Sequence, residues 1–305
     1  MLFRSAVCKE LSFIAKVSQE KKLNTVYVGG GTPTTLEPHQ MDRLLTHLEE
    51  AFSYENLKEI TVEAGRPDSI TREKLEVLKK NKIGRISINP QTMQQKTLDL
   101  IGRRHTIEDI KRVYGMAREL GFENINMDLI AGLPEETVED MQDTLQQIQV
   151  LAPDSLTVHA LAMKRASRLS KEQEGKKREV NEEAQIASTL AQMIELAREA
   201  ATSMGMEPYY LYRQKNIAGN FENVGYAKVD KAGIYNILIM EEKQSIIAVG
   251  AGASTKIVVP DDKVVLDPKT GNPKKILRSE NVRDVEQYIR RIDEMIERKG
   301  ELLWH

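Results

Sequence analysis

Five short β-favouring runs alternate with helical patterns through the first half of the chain, and this alternation leaves few folds open. The strand signals are Thr25–Val28, Glu59–Glu63, Arg85–Asn89, Asn124–Leu129 and Ser155–His159. Between them lie helix patterns at Pro38–Ala51, Thr71–Lys80, Ile107–Leu120 and Thr137–Leu151. In "SITREKLEVLKK" Thr71 is placed to cap a helix with a charged first turn, and Leu75 and Leu78 share one face. Gly121, after "MAREL", reads as a C-terminal cap glycine. Repeating βα units with apolar strands imply a parallel sheet with right-handed crossovers and helices packed outside it.

The pattern changes beyond residue 165, so the chain is expected to divide into a parallel α/β body over 1–165 and a C-terminal region over 166–305. "KRASRLSKEQEGKKREVNEE" is a polar, charged connection, and a long helix signal runs from Asn181 to Met204. After "PYYLY", the apolar runs in "IYNILIMEEKQSIIAVGAG" read as an antiparallel hairpin, and "KIVVPDDKVVLD" as a second one turning at Pro-Asp-Asp. An amphipathic helix closes the chain, with Val285, Tyr288, Ile289 and Ile292 along one side. The expected fold is α/β: a parallel body with a smaller α+β region carrying antiparallel hairpins.

Bulk properties narrow the function. The 305 residues carry 44 basic against 46 acidic groups, a formal net charge of -2, which gives no electrostatic reason to expect nucleic acid. No apolar run approaches a membrane span and no secretory pattern opens the chain, so the cytoplasm is the expected compartment. The single cysteine, Cys8, excludes an internal disulfide framework.

Chemistry in parallel α/β proteins gathers at the C-terminal ends of strands. Those ends carry, in order, Gly29-Gly30-Gly31-Thr32-Pro33; Glu63 and Arg66; Asn89 and Gln91; Asp128, Gly132 and Pro134; and His159 and Lys164. Arg103 and Arg104 lie between the third and fourth strands. Singly, each has a plain reading: a tight turn for the glycines, a cap or solvated charge for Glu63 and Asp128, a satisfied core group for His159. The glycines form neither a Walker loop nor a G-x-G-x-x-G site. Several polar groups at successive strand ends point instead to one shared pocket for a ligand with hydroxyls, an ammonium and a carboxylate.

Together "YVGGGTPTTL", "VEAGRPDSIT", "RISINPQTM", "GRRHT", "NINMDLIAGLP" and "LTVHALAMKRASRL", in this order and spacing, resemble the radical S-adenosylmethionine (SAM) family of oxygen-independent coproporphyrinogen III oxidases, in particular its coproporphyrinogen dehydrogenase branch. "YYLYRQKNIAGNFENVGYA" and "IMEEKQSIIAVGAGAST" extend the resemblance to about residue 256. It implies an open parallel βα barrel. It also implies that Gly30, Gly31 and Thr32 hold the methionyl part of SAM. Glu63, Gln91, Arg103 and Asp128 match further SAM-contacting positions, and Ala162 would offer backbone to the adenosine or to a neighbouring SAM. Thr32, Glu63, Gln91, Asp128 and Ala162 should then line one rim.

The family also uses a [4Fe–4S] cluster held by a C-x-x-x-C-x-x-C loop after its first strand. This chain has no such motif, and Cys8 falls inside a helical pattern over residues 2–20, where it reads as a bystander. The expectation is a fragment lacking the first barrel strand and cluster loop, inactive by itself, with a natural short form as the other option. The activity implied for the full-length form is oxidative decarboxylation of coproporphyrinogen III to protoporphyrinogen IX in haem biosynthesis. Arg165, Arg168 and Arg213 are candidates for the carboxylates of the tetrapyrrole, and no electron donor is indicated. The rival readings are a haem chaperone, for which His159 or His105 could serve as axial ligand although nothing in their spacing indicates it, and a non-catalytic SAM- or haem-binding relative acting by interaction.

Overall fold

Strands and helices form where side-chain periodicity and caps agree. The computed structural model describes residues 2–19, 21–161, 180–212, 222–266 and 270–303. Its strands β1 (Thr25–Val28), β2 (Glu59–Gly65), β3 (Arg85–Gln91), β4 (Ile125–Ala131) and β5 (Ser155–Ala160) match the five sequence signals to within two residues. Helices α1 (Leu2–Val17), α2 (Pro38–Ala51), α3 (Arg72–Lys80), α4 (Gln95–Leu100), α5 (Ile107–Glu119), α6 (Val138–Leu151) and α7 (Val180–Ser203) follow, α4 being unanticipated.

The caps explain the boundaries. Thr71 accepts a hydrogen bond from the Lys74 amide, and reciprocal capping boxes join Thr106 to Asp109 and Thr137 to Asp140. Gly121, at φ +80°, lets the Phe122 amide reach back to the Ala117 carbonyl and close α5.

One seven-stranded sheet has the order β1-β2-β3-β4-β5-β7-β6, where β6 is Glu207–Tyr212 and β7 Asn223–Ala227. Pairing is parallel from β2 through β5, then antiparallel from β5 to β7 and from β7 to β6. The segment around "PYYLY" therefore extends the sheet and does not belong to a separate C-terminal body. Contacts divide the chain elsewhere than at residue 165, into one compact unit of 27–38 and 59–233 and another of 1–26, 39–58 and 234–305.

Within the first unit the strands have two unlike faces. Val62, Ala64, Ile86, Ile88, Met127, Leu129, Leu156 and Val158 are buried on one side. The alternate positions carry Thr61, Glu63, Arg85, Ser87, Asn89, Asn126, Asp128, Ser155, Thr157 and His159. Helix α5 packs against β3, and α7 against β4 and β5.

The second unit departs from the sequence reading in three places. "IYNILIME" is a helix, α8 (Ile234–Glu241), and not a strand; a short, mostly apolar run carries no period to distinguish the two. The two strands of "KIVVPDDKVVLD" do not pair with each other: β8 (Ser254–Val258) pairs with β11 (Ile276–Glu280), and β9 (Val265–Leu266) with β10 (Pro273–Lys274). The closing helix breaks at Arg291, which leaves the helical region at ψ 21°, into α9 (Val285–Arg290) and α10 (Ile292–Gly300).

Helix α1 is anchored by a buried ion pair. Glu10 and Lys299 are both fully buried and in direct contact. The Glu10 carboxylate also accepts from the Gly250 amide (3.0 Å), Asn281 Nδ2 (2.9 Å) and the Tyr288 hydroxyl (2.5 Å), while Lys299 donates to the Ala248 carbonyl (2.5 Å). Burial pushes the Lys299 pKa down, and Glu10 opposes it. Around them Ala6, Val7, Leu11, Leu48, Ile292 and Met295 form an apolar cluster. Deleting one member of such a pair strands a buried charge, so Lys299→Met is expected to cost about 3–5 kcal/mol in urea unfolding of the full chain. Adding Glu10→Gln should recover part of that loss; a single variant within about 0.5 kcal/mol of the parent would refute the anchoring role.

Candidate functional site

The three glycines after β1 have different reasons for lacking a side chain. A Cβ on Gly29 would stand 2.3 Å from a Tyr27 ring carbon and 2.9 Å from Glu63 Oε2. Gly30 and Gly31 instead have φ of +78° and +60°, and a Cβ on either would meet nothing within 4 Å. So Gly29 admits the Tyr27 ring and the Glu63 carboxylate, while Gly30 and Gly31 turn the backbone along an open edge. The Gly30 amide donates to Glu63 Oε2 at 3.1 Å.

The turn that follows is pinned from α3. Lys74 Nζ donates to the carbonyls of Thr34 (2.6 Å) and Ser69 (3.0 Å), and the buried Thr34 hydroxyl donates to the Ala64 carbonyl (2.5 Å). The Thr32 carbonyl accepts from both the amide and the hydroxyl of Thr35. The Thr32 methyl lies 3.2 Å from where a Gly65 Cβ would be, so Gly65 gives the turn room.

On the polar face Glu63 is held by the Gly30 amide and the Tyr27 hydroxyl. Burial pushes its pKa up, those two bonds pull it down, and the charge of Asp128 pushes it up again. Tyr27 titrates far above its ordinary range, from burial first and then from Glu63 and Asp128. Asp128 accepts from Asn126 Nδ2 at 2.7 Å. Asn126 Oδ1 in turn accepts from Ser155 (3.0 Å) and Thr157 (3.2 Å), and Arg85 donates to Ser155 at 3.0 Å. Among the described residues no Lys or Arg forms an ion pair with Glu63 or Asp128. Two half-buried carboxylates beside an open glycine edge suit a cationic ligand with groups that can meet backbone amides.

The structure thus gathers Gly30, Glu63 and Asp128 around Tyr27, with Gly31 and Thr32 in the adjoining turn. Glu63 and Asp128 project from within their strands, so they form a face, whereas Thr32 and Gln91 stand at strand ends. Gln91 closes β3 at φ +72°. Arg103 joins another charged group: Arg66, paired with Asp68 at 2.7 Å, and His105, whose Nδ1 lies 3.8 Å from Asp68. His105 is only 1% exposed, and burial pushes its pKa down. Ala162, Arg165, Arg168 and Arg213 lie outside the described residues. Sequence reasoning missed Tyr27 and Lys74; the Tyr27 signal was its place two residues before a glycine that must stay bare.

A family model described as the radical SAM superfamily matches residues 9–148. The oxygen-independent coproporphyrinogen-III oxidase-like protein HemZ of Bacillus subtilis is 45% identical over 279 residues, covering 91% of this chain. This chain belongs to the coproporphyrinogen oxidase-like radical SAM family. The haem chaperone HemW of Bacillus subtilis is 36% identical over 152 residues, half of this chain. In structure the chain is similar to coproporphyrinogen III oxidase (HemN) from Escherichia coli, a radical SAM enzyme, with TM-score 0.69 and 20% identity over 96% of this chain. That likeness makes the sheet a curled half-barrel. The chain spans 52% of HemZ, 40% of HemW and 62% of the HemN structure.

Radical SAM proteins use SAM and a [4Fe–4S] cluster. The carboxylates and open glycine edge fit the ammonium and sulfonium of SAM. The cluster does not fit this chain's residues: its three thiolates are not supplied by one cysteine, and no three metal-ligating side chains converge among the described residues. Cys8 is half-buried in α1, and burial raises its pKa, away from the thiolate a cluster needs. Nor is any described helix long and apolar enough to cross a membrane.

The glycine assignments separate by experiment. Gly29→Ala is expected to cost about 1–3 kcal/mol through overpacking. Gly30→Ala should cost about 1–2 kcal/mol from its left-handed backbone alone. Adding Tyr27→Leu should relieve Gly29→Ala and not Gly30→Ala in thermal unfolding; relief of both or of neither would overturn the division of roles.

Proposed function

We propose that this chain contributes the SAM-binding half-barrel of an oxygen-independent coproporphyrinogen III oxidase, which converts coproporphyrinogen III to protoporphyrinogen IX by oxidative decarboxylation of two propionates. The observation that carries the reading is the Tyr27–Glu63–Gly30 arrangement with Asp128 beside it, together with the 45% identity to an oxidase-like protein. SAM bound there supplies the 5′-deoxyadenosyl group of the family's chemistry.

The residues of this chain bind and orient. Gly30 and Gly31 present backbone to the methionyl group, and the Thr32 turn, braced by Lys74, fixes their course. Glu63 and Asp128 supply negative charge for the cationic centre, and Asp128 is held in place by Asn126. Arg66, paired with Asp68, and Arg103, which feels the charge of both, suit a carboxylate at the same end of the strands. Gln91 and Ala162 complete the set assigned to SAM. A [4Fe–4S] cluster would need three thiolates, and this chain's sequence carries one cysteine.

A second reading, carriage of haem, is favoured by the 36% identity to a haem chaperone and by His159, half-buried on the same face. His105 is too buried to reach an iron.

Calorimetric titration with SAM tests the choice. The chain should bind SAM, and Asp128→Ala should weaken it by about tenfold to a hundredfold, as for loss of a charge-assisted hydrogen bond. Unchanged affinity would remove Asp128 from the site. A folded chain that binds haem tightly and SAM not at all would give the function to carriage.

A further inference from the structure

A register row crosses the antiparallel end of the sheet. Asp128 pairs with Thr157, Thr157 with Gly225, and Gly225 with Tyr210. Gly225 leaves a gap in that row. A Cβ there would stand 2.0 and 2.4 Å from two ring carbons of Tyr210, so the ring lies over the bare backbone of β7. Across that bare position the row places Tyr210 and Thr157 on either side of Gly225.

Tyr212, two residues further along β6, shares this face. Its ring plane is within 4° of that of Tyr210, with centroids 6.3 Å apart. It also meets the His159 ring edge-on at 6.3 Å and 68°, and its hydroxyl lies 3.4 Å from His159 Nδ1. Buried Asn223 holds the pair in register: its Oδ1 accepts from the Ala160 amide at 2.8 Å and its Nδ2 donates to the Tyr212 carbonyl at 3.4 Å. All three rings are half-buried, so each keeps some surface for a ligand.

This wall is chemically unlike the glycine end of the same face. That end offers carboxylates and backbone amides; this one offers π surface, two phenols and an imidazole. Aromatic rings take offset-stacked or edge-on neighbours, and phenol and imidazole can accept from a ring N–H. A pyrrole ring presents both its π face and an N–H donor. We propose that Tyr210, Tyr212 and His159 form the substrate wall of this site and take the pyrrole rings of a tetrapyrrole, with Gly225 setting specificity because any side chain there lifts Tyr210 from its place. The proposal rests on the tetrapyrrole reading above and leaves the glycine end to SAM.

The test uses the 305-residue chain, with coproporphyrin III as probe followed by its Soret band and S-adenosylhomocysteine followed by calorimetry. Tyr210→Leu and Gly225→Ala should each weaken the porphyrin by about tenfold and leave S-adenosylhomocysteine within about twofold. Tyr210→Phe keeps the ring and should hold porphyrin affinity within about threefold. Thermal unfolding checks each variant, and if Gly225→Ala does not fold, the Tyr210→Leu and Tyr210→Phe pair decides. Equal porphyrin binding by parent and Tyr210→Leu would overturn the wall and leave the tetrapyrrole reading standing. Loss of S-adenosylhomocysteine and not of porphyrin would overturn it by giving the wall to the cofactor. A parent chain that binds no porphyrin would overturn the tetrapyrrole reading, and this assignment with it.

Discussion

A parallel sheet with one polar face must satisfy that face by its own side chains or by a ligand. Parallel strands are ordinarily apolar on both sides because helices cover them. Here β2 to β5 spend most of their alternate positions on hydroxyls, amides, carboxylates, an arginine and an imidazole, and Asn126 stands at the middle of their hydrogen bonds. The bonding is not complete. Thr61 Oγ1 and Arg85 Nε are buried without a hydrogen-bond partner among the described residues. Unmet polar groups are costly in an interior and frequent at binding sites. The architecture of the site follows from this: carboxylates toward the glycine edge, aromatic rings toward the antiparallel edge, and the amide network between them.

Much of the fold was legible in the sequence because periodicity and capping agree there. The five strands and the helices between them appear where valine, isoleucine and spaced leucines placed them, and Thr71 and Gly121 act as the caps they resemble. Elements were misread where local sequence does not decide. "IYNILIME" is mostly apolar without a clear period, so the sequence does not distinguish its helix from a strand. The partner of β8 lies about twenty residues away, across an intervening pair, where a local turn signal suggests the nearer one.

The site was legible in part, for a related reason. Gly30, Gly31, Thr32, Glu63 and Asp128 stand out individually as residue types near strand ends. Tyr210, Gly225 and Thr157 mean little singly and become one feature only once register places them in a row. Lys74 is similarly hidden, because a half-buried lysine of α3 acts through two carbonyls that a sequence cannot locate. Side-chain chemistry is written along the chain; cross-strand neighbourhood is a product of folding.

The Glu10 anchor has a consequence for synthesis. Its partners Gly250, Asn281, Tyr288 and Lys299 leave the ribosome long after α1. At roughly 5–20 residues per second, the interval between Glu10 and Lys299 is on the order of fifteen to sixty seconds. Through that time a carboxylate destined for complete burial waits without its partners, and the apolar stripe of Ala6, Val7 and Leu11 beside it lacks Tyr288, Ile292 and Met295. Helix α1 therefore keeps its buried carboxylate unpaired until residue 299 has been made, and a ribosome stalled before that residue leaves the anchor unfinished.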